Sequence, residues 1–188
     1  RDRAQNYLDI AGVMLVALDR EGNISLLNRR GCEILGYEEE ELIGESWFDI
    51  ALPPEVRDRV RAVFAQLLTG DVEPVEYAEN IVQRRDGEER VMLWHNRVIR
   101  DEEGSVIGTL SSGEDITERK RAEEALRQVS EEQEVILDSV QAMIWYKDTE
   151  NNILRGNRAA AEAIGLCTEE MAGKSCWELF PEEAGHSY

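Results

Sequence analysis

Two short apolar runs, VMLVALD and ISLLN, stand either side of Arg20-Glu21-Gly22-Asn23. Branched side chains interrupted by Gly and Asn, which supply turn backbone, predict a β-hairpin over residues 13–28. The period then changes. GCEILGY and EEELIGESWFDI predict short helices broken at Gly36 and Gly44, and Pro53-Pro54 introduces a longer one, EVRDRVRAVFAQLLTG. Along it Val56, Val60, Val63, Phe64, Leu67 and Leu68 keep the three-and-four spacing of one buried face, with Gly70 at the C-cap position. Such a face packs on something flat. Strand-like stretches over 75–84, 89–100 and 105–115, with turns at Asp86-Gly87 and Asp101-Glu102-Glu103-Gly104, predict the sheet that receives it.

Past Thr117 the pattern lengthens again. Ala122, Leu126, Val129, Gln133, Ile136 and Val140 are spaced 4, 3, 4, 3, 4, a heptad seam with one polar interruption at Gln133. A seam of this kind joins two helices; the alternative is a helix that packs on its own domain.

The chain also repeats itself. At an offset of 129, residues 8–48 align without gaps to 137–177 with fifteen identities in 41 positions, among them Asp19 with Asp148, Asn28 with Asn157, Gly36 with Gly165 and Ser46 with Ser175. Two copies of one module are therefore present. The second reaches Tyr188 before any equivalent of residues 75–115 and is read as an N-terminal half.

Composition narrows the classes. With 42% apolar residues among 188 a packed core is expected, and 21 basic against 40 acidic residues leave a net charge of −19. That sign repels phosphate backbones and anionic membrane surfaces, so neither nucleic acid nor membrane contact is expected. No run of 18 apolar residues occurs, and RDRAQNYLDIAG lacks the plan of a signal peptide. Cys32, Cys167 and Cys176 form no CxxC pair, which argues against a disulfide framework or a metal site and fits a reducing, cytoplasmic setting.

The element order, the Asp115-Ile116-Thr117 triplet that closes the last strand, and the RDEEG turn followed by VIGTLSSGEDIT together resemble the PAS (Per-Arnt-Sim) family. The resemblance implies an α+β fold: a five-stranded antiparallel sheet ordered 2-1-5-4-3, with helices on one face enclosing a small pocket. It also implies a division into a complete module with an N-terminal helix at 1–117, a helical signalling linker at 118–136, and half of a second module at 137–188. Such modules sense ligands, redox state or partners and pass the result to an output domain in the same chain. A histidine kinase of a two-component system or a diguanylate cyclase is the output expected here. Pairing of Asp115 with Arg119 in the first turn of the linker, next to Thr117, would relay the signal.

Flavin and haem are disfavoured. Flavin-binding light sensors of the family carry a reactive cysteine where this chain has Trp47. Cys176 occupies the aligned place in the second copy but lacks the motif that follows it, so it is read as structural. The polar flavin contacts of that subfamily fall at Val82, Met92 and Gly113, none of which can make them. Haem-binding members use a histidine on the long helix, and 55–69 has none. Strand alternation turns Met92, Trp94 and Asn96 toward the pocket and His95 away. The pocket candidates are Leu15, Asn28, Trp47, Phe48, Phe64, Val82, Met92, Trp94 and Asn96, lining a site for an unidentified small ligand or simply filling the core.

No catalytic residue is expected. Nothing resembles a phosphoacceptor helix, an ATP-binding domain or a Gly-Gly-acidic hairpin; His186 is incidental, and the acidic runs read as solvated faces. The chain is read as the sensory and dimerisation region of a signalling protein, associating as a homodimer through its N-terminal helix, where Leu8, Ile10 and Ala11 form an apolar edge, and through the linker. The alternative is a ligand-free docking module.

Overall fold

In this computed structural model residues 12–69 and 78–179 are described. They fall into two compact units that divide after Arg121. The predicted N-terminal helix with Leu8, Ile10 and Ala11, the Gly70 cap and His186 all lie outside the described residues.

The first unit begins with the hairpin, β1 (Met14–Asp19) and β2 (Ile24–Leu27). Its turn is organised by Asp19, whose carboxylate accepts from the backbone N–H groups of Glu21 and Asn23 at 3.0 and 2.8 Å and from the Asn23 amide at 3.1 Å. Gly22 is required there twice over. Its φ of +87° is one that side chains resist, and a Cβ would stand 2.3 Å from the Phe48 ring.

Three short helices follow, α1 (Arg29–Leu35), α2 (Glu39–Leu42) and α3 (Trp47–Ile50), and then the longer α4 (Pro54–Thr69). The strands β3 (Ala78–Gln83), β4 (Glu89–Arg100) and β5 (Val106–Asp115) complete an antiparallel sheet ordered β2-β1-β5-β4-β3. This is the five-stranded order 2-1-5-4-3 that the resemblance implied. Met14, Val16 and Leu18 of β1, Met92 and Trp94 of β4, and Trp47, Phe48 and Leu52 beneath the helices form one buried cluster. Arg84 ties the helices to the sheet by donating to the Glu33 and Ile34 carbonyls at the end of α1, where no intrahelical donor remains.

From β5 the chain runs directly into α5 (Thr117–Ser139). The helix passes the end of the predicted linker and stops one residue short of Val140, so the heptad seam is helical only as far as Ile136. Every residue from 121 to 136 is exposed, Leu126 to 73% and Ile136 to 57%, and within this stretch Glu134 pairs with Arg155 at 3.0 Å.

The second unit repeats the opening of the first. It carries β6 (Trp145–Lys147), β7 (Ile153–Gly156), α6 (Arg158–Ile164), α7 (Thr168–Met171) and α8 (Cys176–Leu179). Asp148 holds the hairpin turn as Asp19 does, accepting from the Glu150 and Asn152 N–H groups at 2.9 and 2.8 Å. Its carboxyl is held below the ordinary range chiefly by the Asn152 side-chain hydrogen bond. The buried cluster is small: Ile153, Ala160, Ala161 and Met171.

Asn28 is the joint between hairpin and helix. Fully buried, it accepts from the Leu15 and Gly31 N–H groups at 2.9 and 3.0 Å and donates to the Val13 carbonyl at 3.0 Å. Asn28→Ala removes an N-cap and strands two backbone groups, and the loss in urea unfolding is expected to be about 2–4 kcal/mol. Asn28→Asp keeps both accepted bonds and should lose clearly less. Equal losses would mean that capping is not the role of this side chain.

Candidate functional site: a cavity under the long helix

Strand alternation builds the site. Successive inward positions are Val16 and Leu18 on β1, Thr109 and Ser111 on β5, Trp94 and Asn96 on β4, and Ala78 and Asn80 on β3. Pairing sets them side by side: Leu18 faces Thr109 and Val16 faces Ser111, while Asn96 faces Ser111 and Trp94 faces Ala78. Over this patch lie Trp47 and Phe48 of α3 and Val60, Val63, Phe64 and Leu67 of α4, leaving a cavity of about 240 Å³. Of the apolar α4 face only Leu67 is fully buried. The face predicted to be buried is a cavity wall over much of its length.

The walls are aromatic and the floor polar. Trp47 and Trp94 meet edge to face at 5.6 Å between ring centres, and Phe48 and Phe64 do so at 5.4 Å. The Trp94 ring lies so close over β5 that a Cβ on Gly113 would stand 2.7 Å from it. Trp94 Nε1 donates to Asn80 Oδ1 at 2.7 Å, and Ser111 Oγ donates to Asn96 Oδ1 at 2.7 Å. Thr109 is only 2% exposed, and its hydroxyl has no hydrogen-bond partner among the described residues.

Five of the nine predicted pocket residues, Trp47, Phe48, Phe64, Trp94 and Asn96, line this cavity. The other four do not. Asn28 is spent on backbone groups, as described above. Leu15 points to the opposite side of β1 from Met14 and Val16, and Val82 and Met92 are sealed in the core cluster. His95 is half-buried on the other face of β4, and the side chain of Cys176 is outside the described residues. Val16, Leu18, Ala78, Asn80, Thr109 and Ser111 were not singled out from sequence. Their inward turn follows only once the register against Trp94 and Asn96 is known.

At the far end of β5 the Asp115-Ile116-Thr117 triplet closes the sheet. Asp115 Oδ1 accepts from the Thr117 N–H at 3.0 Å, the Thr117 hydroxyl accepts from the Val91 N–H at 2.9 Å, and Ile116 N–H donates to the Val91 carbonyl at 2.9 Å. The other Asp115 oxygen lies 3.7 Å from Arg90. The next turn of α5 is tied back to the sheet. Lys120 reaches Glu79 at 2.9 Å, and Arg121 reaches Glu88 at 3.4 Å. Glu79 also lines the cavity.

The Glu88 carboxyl is held below its ordinary value by hydrogen bonds from Arg90 first and Arg121 next. A lowered carboxylate contributes above its unfolded pKa and loses that contribution as pH falls through the lowered one. The junction is therefore expected to be insensitive to pH near neutrality. None of the displaced carboxylates, Asp49 and Asp86 included, lines the cavity. The site has the makings of a binding site and shows no acid–base couple of shifted pKa. No cluster of His, Cys, Asp and Glu suited to a metal is found among the described residues. No described helix is long and apolar enough to cross a membrane.

A sheet and helices closed over one small cavity, with the last strand leading into a long exposed helix, define the sensory-module class of α+β proteins. The chain belongs to the PAS fold family, whose sequence profile matches residues 8–121 and 137–188. It is similar to the probable diguanylate cyclase DgcE of Escherichia coli (strain K12), at 22% identity over 97% of this chain and 17% of that protein. This chain thus spans under a fifth of that relative's length. Among solved structures it is similar to a sensory box histidine kinase/response regulator from Burkholderia thailandensis E264, with a TM-score of 0.52, 27% identity and coverage of 70% of this chain and 97% of that one. The PAS domain of a protein from Colwellia psychrerythraea gives a TM-score of 0.55 at 18% identity, covering 62% of this chain and 97% of that one.

Thr117→Val keeps the shape of the side chain and removes the acceptor for the Val91 N–H. Hydrogen exchange at the Val91 amide should quicken, with a stability loss of about 1–3 kcal/mol, whereas Thr117→Ser should restore protection. Unchanged exchange in the valine variant would remove the hydroxyl from the account of the junction.

Proposed function

We propose that this chain is the sensory input and dimerisation region of a signalling protein. A small molecule enters the cavity under α4, and its occupancy is relayed through Asp115, Thr117, Arg119 and α5 to an output domain elsewhere in the full protein. The cavity carries the reading: about 240 Å³ of space walled by aromatic rings, with polar groups on its floor, lies beside the strand that leads into the helix. The volume is below the range of drug-sized pockets and suits a small metabolite better than a flavin or haem.

Two features support the relay. The residues of the junction link β4, β5 and the first turn of α5, and Glu79 belongs both to the cavity wall and to the ion pair with Lys120. The seam residues Leu126, Val129 and Ile136 are half or more exposed, a cost that a second copy of the helix would remove. A diguanylate cyclase or histidine kinase output is favoured by the names of the relative and of the structural neighbour described above. The proposed domain division is 1–117, 118–136 and 137–188.

The binding reading is tested by a thermal-shift screen of the whole chain against a diverse set of small metabolites, with Val60→Trp as the cavity-filled control. At least one compound should raise the wild-type melting temperature and leave that of the variant unchanged. A compound set with no hit, or hits that persist in Val60→Trp, would refute a ligand site under α4.

The relay is tested in the full-length protein by insertions next to Glu131. One residue turns everything downstream by about 100°, whereas seven nearly restore the face. The first should lock or abolish output and the second should preserve regulation. If both behaved alike, a rotating helical linker would have to be abandoned.

A further inference from the structure

Resting on the reading of the cavity as a ligand site, we propose that its ligand is a small aromatic carboxylic acid, one ring with a short acidic substituent. The amide N–H groups left over in the cavity are donors, and the hydroxyl oxygens of Thr109 and Ser111 can both donate or accept. Asn96 spends its oxygen on Ser111, so its amide N–H groups are unspent, and the buried Thr109 hydroxyl is unpartnered. Asn80 likewise spends its oxygen, on Trp94. What remains to be satisfied on the floor is chiefly donors, and a ligand must bring acceptor oxygens to meet them.

The charges agree. On α4, Arg57 and Arg61 both lie within ion-pair distance of Asp49, whereas Arg59, which lines the cavity, has no ion pair among the described residues. Among the described residues Glu79 is the sole acid on the wall, and Lys120 already neutralises it at 2.9 Å. Among the described residues a cationic guest would therefore meet the Arg59 guanidinium and no available carboxylate, even though the chain as a whole carries a charge of −19. Among the described residues an anion finds Arg59 without an ion pair, and several donors.

Shape and surface set the rest. Four aromatic rings, Trp47, Phe48, Phe64 and Trp94, converge on the space from α3, α4 and β4. Ring edges and faces favour an aromatic guest over a saturated one of equal area. At 240 Å³ the cavity holds roughly eight water-sized groups, the bulk of one ring and a short chain.

Isothermal titration of the whole chain with phenylacetate, phenylacetamide, phenethylamine and cyclohexylacetate separates these terms. Phenylacetate should bind most tightly, about tenfold tighter than the neutral amide. It should exceed cyclohexylacetate by about threefold, and the amine should not bind. Arg59→Gln should bring the acid down to the affinity of the amide and leave the amide unchanged. Thr109→Val, which preserves shape, should weaken both. Binding of the amine as tight as that of the acid, or an acid-to-amide ratio unchanged in Arg59→Gln, would overturn the ligand class. If phenylacetate fails while another compound in the thermal-shift screen binds in a manner abolished by Val60→Trp, the class is wrong and the ligand site stands. If nothing binds at all, both fall.

Discussion

The position of β5 between β1 and β4 is the constraint on which the rest depends. Its pairing with β1 sets Thr109 opposite Leu18 and its pairing with β4 sets Ser111 opposite Asn96, so one register decides what faces the cavity. A slip of one residue would exchange the two faces of the strand, putting Leu110 and Ser112 inward and turning the cavity floor out to solvent. The same register brings Asp115 level with Met92 and allows Ile116 and Thr117 to bond to Val91. Cavity floor and helix junction are thus set by a single ladder. Gly113 belongs to the same constraint, because the Trp94 ring occupies the space a side chain there would need.

Local chemistry was legible from the sequence and long-range pairing was not. The hairpins, the short helices, α4 and the meander all follow from periodicity and turn residues, and the sheet order came from a resemblance to a family. Within the site, legibility stopped at single residues. Trp94 and Asn96 could be turned inward by alternation, but Thr109, Ser111, Ala78 and Asn80 become neighbours only through pairings between strands distant in sequence. Asn28 is a pocket candidate by sequence, whereas in the structure its buried amide is engaged as a cap. Val140 continued the heptad spacing, yet spacing carries no information about where helical hydrogen bonds end. The ion pair between Glu79 and Lys120 joins a strand to a helix 41 residues on, and no local pattern announces it.

The internal repeat shows which positions resist change. Identities between the two copies gather at Asp19 and Asp148, Asn28 and Asn157, Gly36 and Gly165, the residues that hold turns and caps. Core positions drift: Ile34 and Leu35 correspond to Ala163 and Ile164. A cap needs an oxygen at one point in space and a left-handed C-cap needs a residue without a Cβ, whereas a core position needs volume that neighbours can share. Gly22 and Asn151 are the instructive exchange. Both occupy positive φ, at +87° and +72°, and Asn is the side chain that tolerates that backbone best.

The exposed middle of α5 has a further physical consequence. Its internal ion pairs, Arg127 with Glu124 and with Glu131, are solvent-exposed and screened by water, so they support the helix only weakly. A helix so weakly supported along its length is held at its ends. At the first turn Thr117, Lys120 and Arg121 bind it to β3, β4 and the turn between them. At the last turn the Asn157 amide donates to the carbonyls of Leu137 and Val140 at 3.0 and 3.1 Å, and the Asp138 carboxylate accepts from the Arg158 N–H at 2.7 Å. The cap that joins hairpin to helix in the second unit therefore also terminates α5. Between these ends Glu134 reaches Arg155 of β7 at 3.0 Å, and the remaining side chains of residues 122–136 are exposed. On the proposed reading, partner choice along the seam is then free to respond to the angle at which the first turn leaves the sheet.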